Sequence, residues 1–171
     1  MTVAAAGLVL AAACTAAPEP DARTKTAWAD RVCGVVVAAE AALAAPPPAL
    51  DPADPAALRT ALSGYLGGLS DSLSTAVSAF SSLRPAPIEG GDRIVQIAEE
   101  TYRGLRAPLS EAKTALDGST APDVVAQAVA EVAPKLAALD LTQPLAGTAG
   151  TEFTRWAESA PQCARLPSLR G

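Results

Sequence analysis

The chain contains no histidine. That absence removes the commonest general base and the imidazole metal ligand. It also excludes the Glu-x-x-His pairs of di-iron bundles and a histidine-activated serine or cysteine nucleophile. Aromatic residues are only 4% of the sequence and there is a single Met, so Ala, Leu and Val must build the core. Each contact in such a core buries little area, at roughly 25 cal/mol per Å². Lys and Arg are never concentrated among aromatics, and the net charge is −5. Both facts argue against a nucleic acid partner, which needs a dense basic face. No phosphate loop, dinucleotide fingerprint, zinc-protease motif or nucleophile elbow occurs. Alternation of apolar and polar residues never persists, and the one β-branched run, Val35-Val36-Val37, lies inside a helical pattern.

What the chain has is alanine, proline and leucine arranged at helical spacing. Its 171 residues fit one domain. The longest apolar run at the start, Val3–Ala13, is eleven residues. A bilayer span needs about 20, whereas a signal-peptide core needs 7–15 or so. The end of that run with the cysteine after it, Leu10-Ala11-Ala12-Ala13-Cys14, resembles the lipobox of bacterial lipoproteins. The resemblance implies that Cys14 is lipidated on sulfur and that residues 1–13 are removed. Met1–Gly7 carries no Lys or Arg, where such signals begin positively charged, so the start codon is expected upstream. Residues 14–25 then read as the lipidated cysteine and a tether, because Thr15–Lys25 holds two prolines and no apolar periodicity.

With Cys14 lipidated, Cys33 and Cys163 remain. An even remainder in an exported chain reads as a disulfide. Two distant cysteines without histidine or a CxxC spacing are a poor zinc site.

Helix one is expected over Thr24–Ala44, with Trp28, Val32, Val35, Val36, Ala39 and Leu43 as its stripe and Pro46-Pro47-Pro48 as its stop. Helix two opens on Asp54 and Pro55. It repeats Leu58, Leu62, Tyr65, Leu69, Leu73, Ala76, Phe80 and Leu83, the clearest period in the chain. Gly64, Gly67, Gly68 and seven serines from Ser63 to Ser82 oppose helix formation, so packing must hold it. Gly64 and Gly68 share a face where another helix is expected to come close. After the turn Arg84–Gly91, helix three spans Asp92–Leu116 with Pro108 inside. Helix four starts after Ser119 or Thr120, with stripe Val125, Val129, Val132, Leu136 and Leu139 and a bend at Pro134. Thr151 is expected to cap a short last helix carrying Phe153 and Trp156. The fold class is therefore all-α: a four-helix bundle of up-down order over residues 26–166, with a short fifth helix closed by the disulfide, and a tail at 167–171.

Candidate chemistry is sparse. Glu99 and Glu100 are adjacent carboxylates, expected with Glu111 and Asp92 on a solvated face and paired to Arg103 and Arg106. Together with Asp71 they are the only bases an enzyme reading offers, and nothing in the sequence gathers them in a cleft. No catalytic, metal or cofactor residue is assigned. Trp28, Tyr65 and Trp156 are weighed as core residues or as the wall of an apolar pocket; Tyr65 and Tyr102 are expected half-buried with wet hydroxyls.

Trp28-Ala29-Asp30-Arg31-Val32-Cys33, the segment Pro85-Ala86-Pro87-Ile88-Glu89-Gly90-Gly91, and a cysteine near the C-terminus together resemble exported lipoproteins of actinobacteria. The resemblance implies a helical fold and a place on the outer face of the cytoplasmic membrane, and it carries no activity. The expected role is a membrane-anchored protein-interaction or structural module of the cell envelope, not an enzyme. The alternative is a carrier or sensor of an apolar small molecule held between helices.

Overall fold

The computed structural model describes residues 19–46, 54–119, 121–137 and 147–166, with Leu145 and Leu169. The segment read as a leader, Cys14 and most of the C-terminal tail lie outside the described residues. Among the described residues five α-helices follow one another: α1 (Ala22–Leu43), α2 (Pro55–Ser81), α3 (Gly91–Gly118), α4 (Pro122–Ala137) and α5 (Glu152–Ala157), with a 3₁₀ turn at Cys163–Arg165. No strand occurs among the described residues.

Helix α1 starts at Ala22, inside the stretch read as tether. Asp21 supplies the reason: its carboxylate accepts the Thr24 amide at 2.7 Å, satisfying an orphan donor of the first turn. Lys25 is then helical and buried rather than part of a linker. Asp54 caps α2 as expected, accepting from the Ala56 and Ala57 amides. At α5, Thr151 occupies the cap position but does not cap. Its hydroxyl donates instead to the Thr148 carbonyl at 2.6 Å. Helices α3 and α4 continue through Pro108 and Pro134.

Contacts at both ends set α1 antiparallel to α2. Near the start of α1 the Trp28 indole donates to the Leu83 carbonyl at 2.8 Å, and near its end the Tyr65 hydroxyl donates to Ala45 at 3.3 Å. Helices α2 and α3 form the longest hairpin. Arg59 donates to the Leu116 carbonyl, Ser63 to Asp117, and Ser70 pairs with Ser110 at 2.9 Å. Helix α4 packs on α3, and α5 and the 3₁₀ turn pack on α1. The core holds Trp28, Phe80, Tyr102 and Phe153, all fully buried. Phe80 and Tyr102 meet edge to face at 5.3 Å, as do Trp28 and Phe153 at 6.1 Å.

The polar residues of α2 are accommodated locally. Ser72, Ser74, Thr75 and Ser78 each donate to the carbonyl four residues back, so their hydroxyls stay bonded without leaving the helix. The glycines differ from expectation. A methyl group at Gly64 or Gly68 would meet nothing, whereas at Gly67 it would touch the Lys113 stem. The close approach lies at Gly91, where a Cβ would come within 2.5 Å of Ala86 and 3.1 Å of the Trp28 ring. Gly68→Ala should therefore raise stability by up to ~1 kcal/mol, from helix propensity alone. Gly91→Ala should lower it by about 1–3 kcal/mol through overpacking. Urea midpoints shifted in the same direction for both variants would refute this assignment.

Tyr102 is buried rather than half-buried, and burial pushes its phenol well above the ordinary value, with the Glu40 charge adding to the effect. Glu99 is also buried, not on a solvated face. It lies between two guanidiniums, Arg84 at 2.5 Å and Arg103 at 2.6 Å. The reason is its position: Val95 and Tyr102, one turn away on either side, are both buried, and Glu99 shares their face. Glu100 is exposed and bonds Gln96, while Arg106 reaches Ser74 rather than Glu100. Both arginines are exposed enough to rehydrate if the carboxylate is removed. Glu99→Leu should therefore change stability by less than about 1 kcal/mol. Replacing Arg84 and Arg103 together by Ala should cost several-fold more, because it strands a buried carboxylate. Thermal melts of the two variants provide the comparison.

Candidate functional site

A first cluster of polar groups lies at the corner where α1 begins. Lys25, 9% exposed, reaches Glu19 at 3.0 Å and Glu152 at 3.2 Å. Glu152 also accepts from the Glu89 amide at 2.8 Å and the Trp156 indole at 3.1 Å. The Lys25 ammonium sits 5.7 Å from the Trp156 ring centre, within cation–π range. These donors hold the Glu152 carboxyl down at about 2, with the Glu89 amide the largest cause, and the same carboxylates raise Lys25. Lys25, Glu152, the Glu89 amide and the Trp156 indole are all engaged with one another, and they tie α1, the α2–α3 turn and α5 together.

A carboxyl whose pKa is depressed on folding stabilises the fold above its unfolded value and loses that contribution as pH falls through the folded value. The melting temperature should thus decline between pH ~4.5, the ordinary glutamate value, and about 2. Glu152→Gln should flatten that part of the profile. Parallel profiles for variant and parent would show that Glu152 is not a source of the decline.

A groove of about 890 Å³ lies between α1 and α2. It follows from small side chains at the positions where the two helices face solvent together. Ala38, Ala39, Ala76 and Ala79, with Val35, line its length. Ser72 and Thr75 lie at one end, with hydroxyls turned back to their own helix. The other end is polar: Asp30, Arg31, Gln162 and Arg165 gather there. The antiparallel packing puts this polar end beside Leu83 and the apolar end beside Ala42.

The Cys33–Cys163 disulfide builds the polar end. Its Cα atoms are 4.9 Å apart, and it brings the 3₁₀ turn onto α1. The Gln162 amide donates to Asp30 at 2.7 Å, fixing the turn a second time. Among the described residues Arg165 holds only the neutral side-chain amide oxygen of Gln162, at 3.0 Å. Arg31 has no hydrogen bond or ion pair among the described residues.

The three aromatic residues weighed as a pocket wall are not gathered on one surface. Trp28 is inside the core, and Trp156 borders a separate hollow of about 480 Å³ with Arg23, Thr26 and Pro161. Tyr65 lies 18 residues before Leu83 on α2, roughly 27 Å along the helix from Trp28's partner. Trp28 and Trp156 do share the corner of α1 and α5, Trp28 through Phe153 and Trp156 through Glu152 and Lys25. Asp71 and Glu100, the other candidate bases, are exposed on different helices. Among the described residues, no three Cys, Asp or Glu gather as a metal would require, and no helix is long and apolar enough to cross a membrane.

Sequence reasoning missed the groove and its arginines. A signal existed: Arg31 stands two residues before Cys33 and Arg165 two after Cys163, so joining the cysteines brings both arginines to one end. Comparison with family models, with curated proteins and with solved structures finds no match to this chain.

Proposed function

We propose that the chain is an extracytoplasmic lipoprotein, anchored through Cys14 to the outer face of the cytoplasmic membrane, which acts by binding through the α1–α2 groove and not by catalysis. Its helices are read as an up-down bundle, α1 to α4, which the pairings of α1 with α2, α2 with α3 and α3 with α4 support. The observation that carries the binding reading is the groove itself. Its volume is that of a small-molecule site, which spans ~300–1,000 Å³. Asp30 to Ala42 on α1 gives it a length of about 18 Å. The length, the apolar lining and the single polar end suit a slender apolar molecule, and the carrier or sensor reading leads the protein-interaction module.

Native mass spectrometry of the mature protein extracted from membranes tests this. A bound species that leaves on denaturation, and that is lost in Ala38→Trp, supports the carrier reading. A photo-crosslinker at position 38 that reproducibly captures one envelope protein, with no small ligand bound, returns the interaction module to first place. Neither result would sink the groove as the working face. Lipid on Cys14, absent from Cys14→Ser, tests the anchor separately.

A further inference from the structure

We infer that the groove takes a single-chain anionic amphiphile, with its headgroup at Arg31 and Arg165 and its chain running along the alanines toward Ala42. This rests on the reading of the groove as a binding face and adds the chemistry of what it binds.

The inference follows from polarity along one axis. At the end built by the disulfide, two arginines and one aspartate, Asp30, line the groove, and Asp30 is already engaged by the Gln162 backbone amide. Arg31 has no partner among the described residues, and Arg165 spends one donor on a neutral oxygen. A guanidinium presents five donors and matches a carboxylate or phosphate in pairs. The net charge at this end is positive in a chain that is negative overall. Beyond Gly34 the lining loses all charge, and what remains is Ala, Val and hydroxyls bonded to their own backbone. A ligand that satisfies both ends must carry an anion at one end and nothing polar at the other. A cationic amphiphile would meet the arginines, and a two-headed anion would leave its second charge among alanines.

The test uses the full chain with Cys14→Ser, so that no detergent competes, and titration calorimetry with three probes of one chain length: dodecanoate, dodecanol and dodecyltrimethylammonium. Dodecanoate should bind most tightly and weaken with added salt. The double variant Arg31→Gln, Arg165→Gln should weaken dodecanoate by roughly tenfold, as loss of charge-assisted hydrogen bonds implies. It should leave dodecanol unchanged, and the double Lys variant should recover part of the loss. Ala38→Trp should weaken all three probes. Equal affinity for the three probes, unmoved by the arginine variants, would overturn the headgroup assignment while leaving the groove as a binding face. Binding untouched by Ala38→Trp would overturn the groove reading itself. Association with phosphatidylglycerol vesicles but not with monomeric dodecanoate would replace this inference with contact at an anionic membrane surface. Circular dichroism melts of each variant guard against misfolding, and a variant that fails to fold is replaced by Ala42→Trp or by Arg31→Gln alone.

Discussion

Replacing Cys33 and Cys163 together by Ala should lower the melting temperature by roughly 10–20 °C. The two cysteines are 130 residues apart in the chain. A crosslink closing a loop of that length removes about 5 kcal/mol of chain entropy from the unfolded state. For a domain of this size, each kcal/mol moves the midpoint by about 2–4 °C. Both residues are buried, at 0% and 3% exposure, so Ala is a better replacement than Ser, whose hydroxyl would need a new partner. The loss has a local part as well. Without the crosslink, the 3₁₀ turn is held on α1 by the Gln162–Asp30 bond and by the buried Leu166. Differential scanning calorimetry of parent, double variant and reduced parent measures the total. A shift of less than about 3 °C would refute the assignment of this stabilisation to the chain entropy of the unfolded state. The same variant probes function, because the turn carries Gln162 and Arg165. Its groove should lose the polar end before the domain loses its helices.

The helices were legible because their apolar residues repeat at three and four. The α2 stripe from Leu69 to Leu83 is buried as the period requires, and Asp54 caps where an acidic residue before proline should. In α3 the apolar period Ile94, Ala98, Thr101, Leu105, Leu109, Ala112 and Leu116 is buried except in its middle: Val95, Glu99 and Tyr102 are enclosed beside it, whereas Thr101 and Leu105 are only half-buried. Charge alone suggests that Glu99 is solvated. Val95 four residues before it and Tyr102 three after it are apolar, and Arg103 lies one turn on, which together point inward. Gly64 and Gly68 misled for a related reason. Small residues signal close approach only when something approaches, and periodicity within one helix does not say what lies across from it. Gly91 looked like ordinary turn glycine, and the Trp28 ring above it comes from a residue more than sixty positions away.

The groove was illegible for a physical reason too. It exists because small side chains on two different helices leave space between them, and only the pairing of α1 with α2 makes that space one object. The disulfide, by contrast, followed from counting cysteines once Cys14 was set aside. Had its geometric consequence been carried two residues further, Arg31 and Arg165 would have been read as neighbours.

Trp28→Ala should be the most damaging single substitution in the chain, costing about 3–5 kcal/mol from lost burial and the cavity left behind. The ring is 1% exposed and is not replaceable by collapse from one side, since four segments meet on it. Trp28 belongs to α1, its indole nitrogen bonds Leu83 just past α2, its edge lies against Gly91 at the start of α3, and Phe153 of α5 meets it edge to face. Loss of the indole also leaves the Leu83 carbonyl without its donor, a further cost of about 1–3 kcal/mol where no water reaches it. Trp28→Phe separates these parts, keeping most of the apolar contact while removing the donor, and should fall between parent and Ala. Trp156→Ala should cost far less, because that ring is half-buried. Urea unfolding followed by far-ultraviolet circular dichroism gives the three values on one scale. A cost for Trp28→Ala no larger than that for Trp156→Ala would refute the view that Trp28 joins the helices. A double-mutant cycle makes the test sharper. A methyl at position 91 is harmful partly because it presses on the Trp28 ring, so Gly91→Ala should cost less in the Trp28→Ala background than in the parent. Additive costs would place the strain on Ala86 and Ile88 instead.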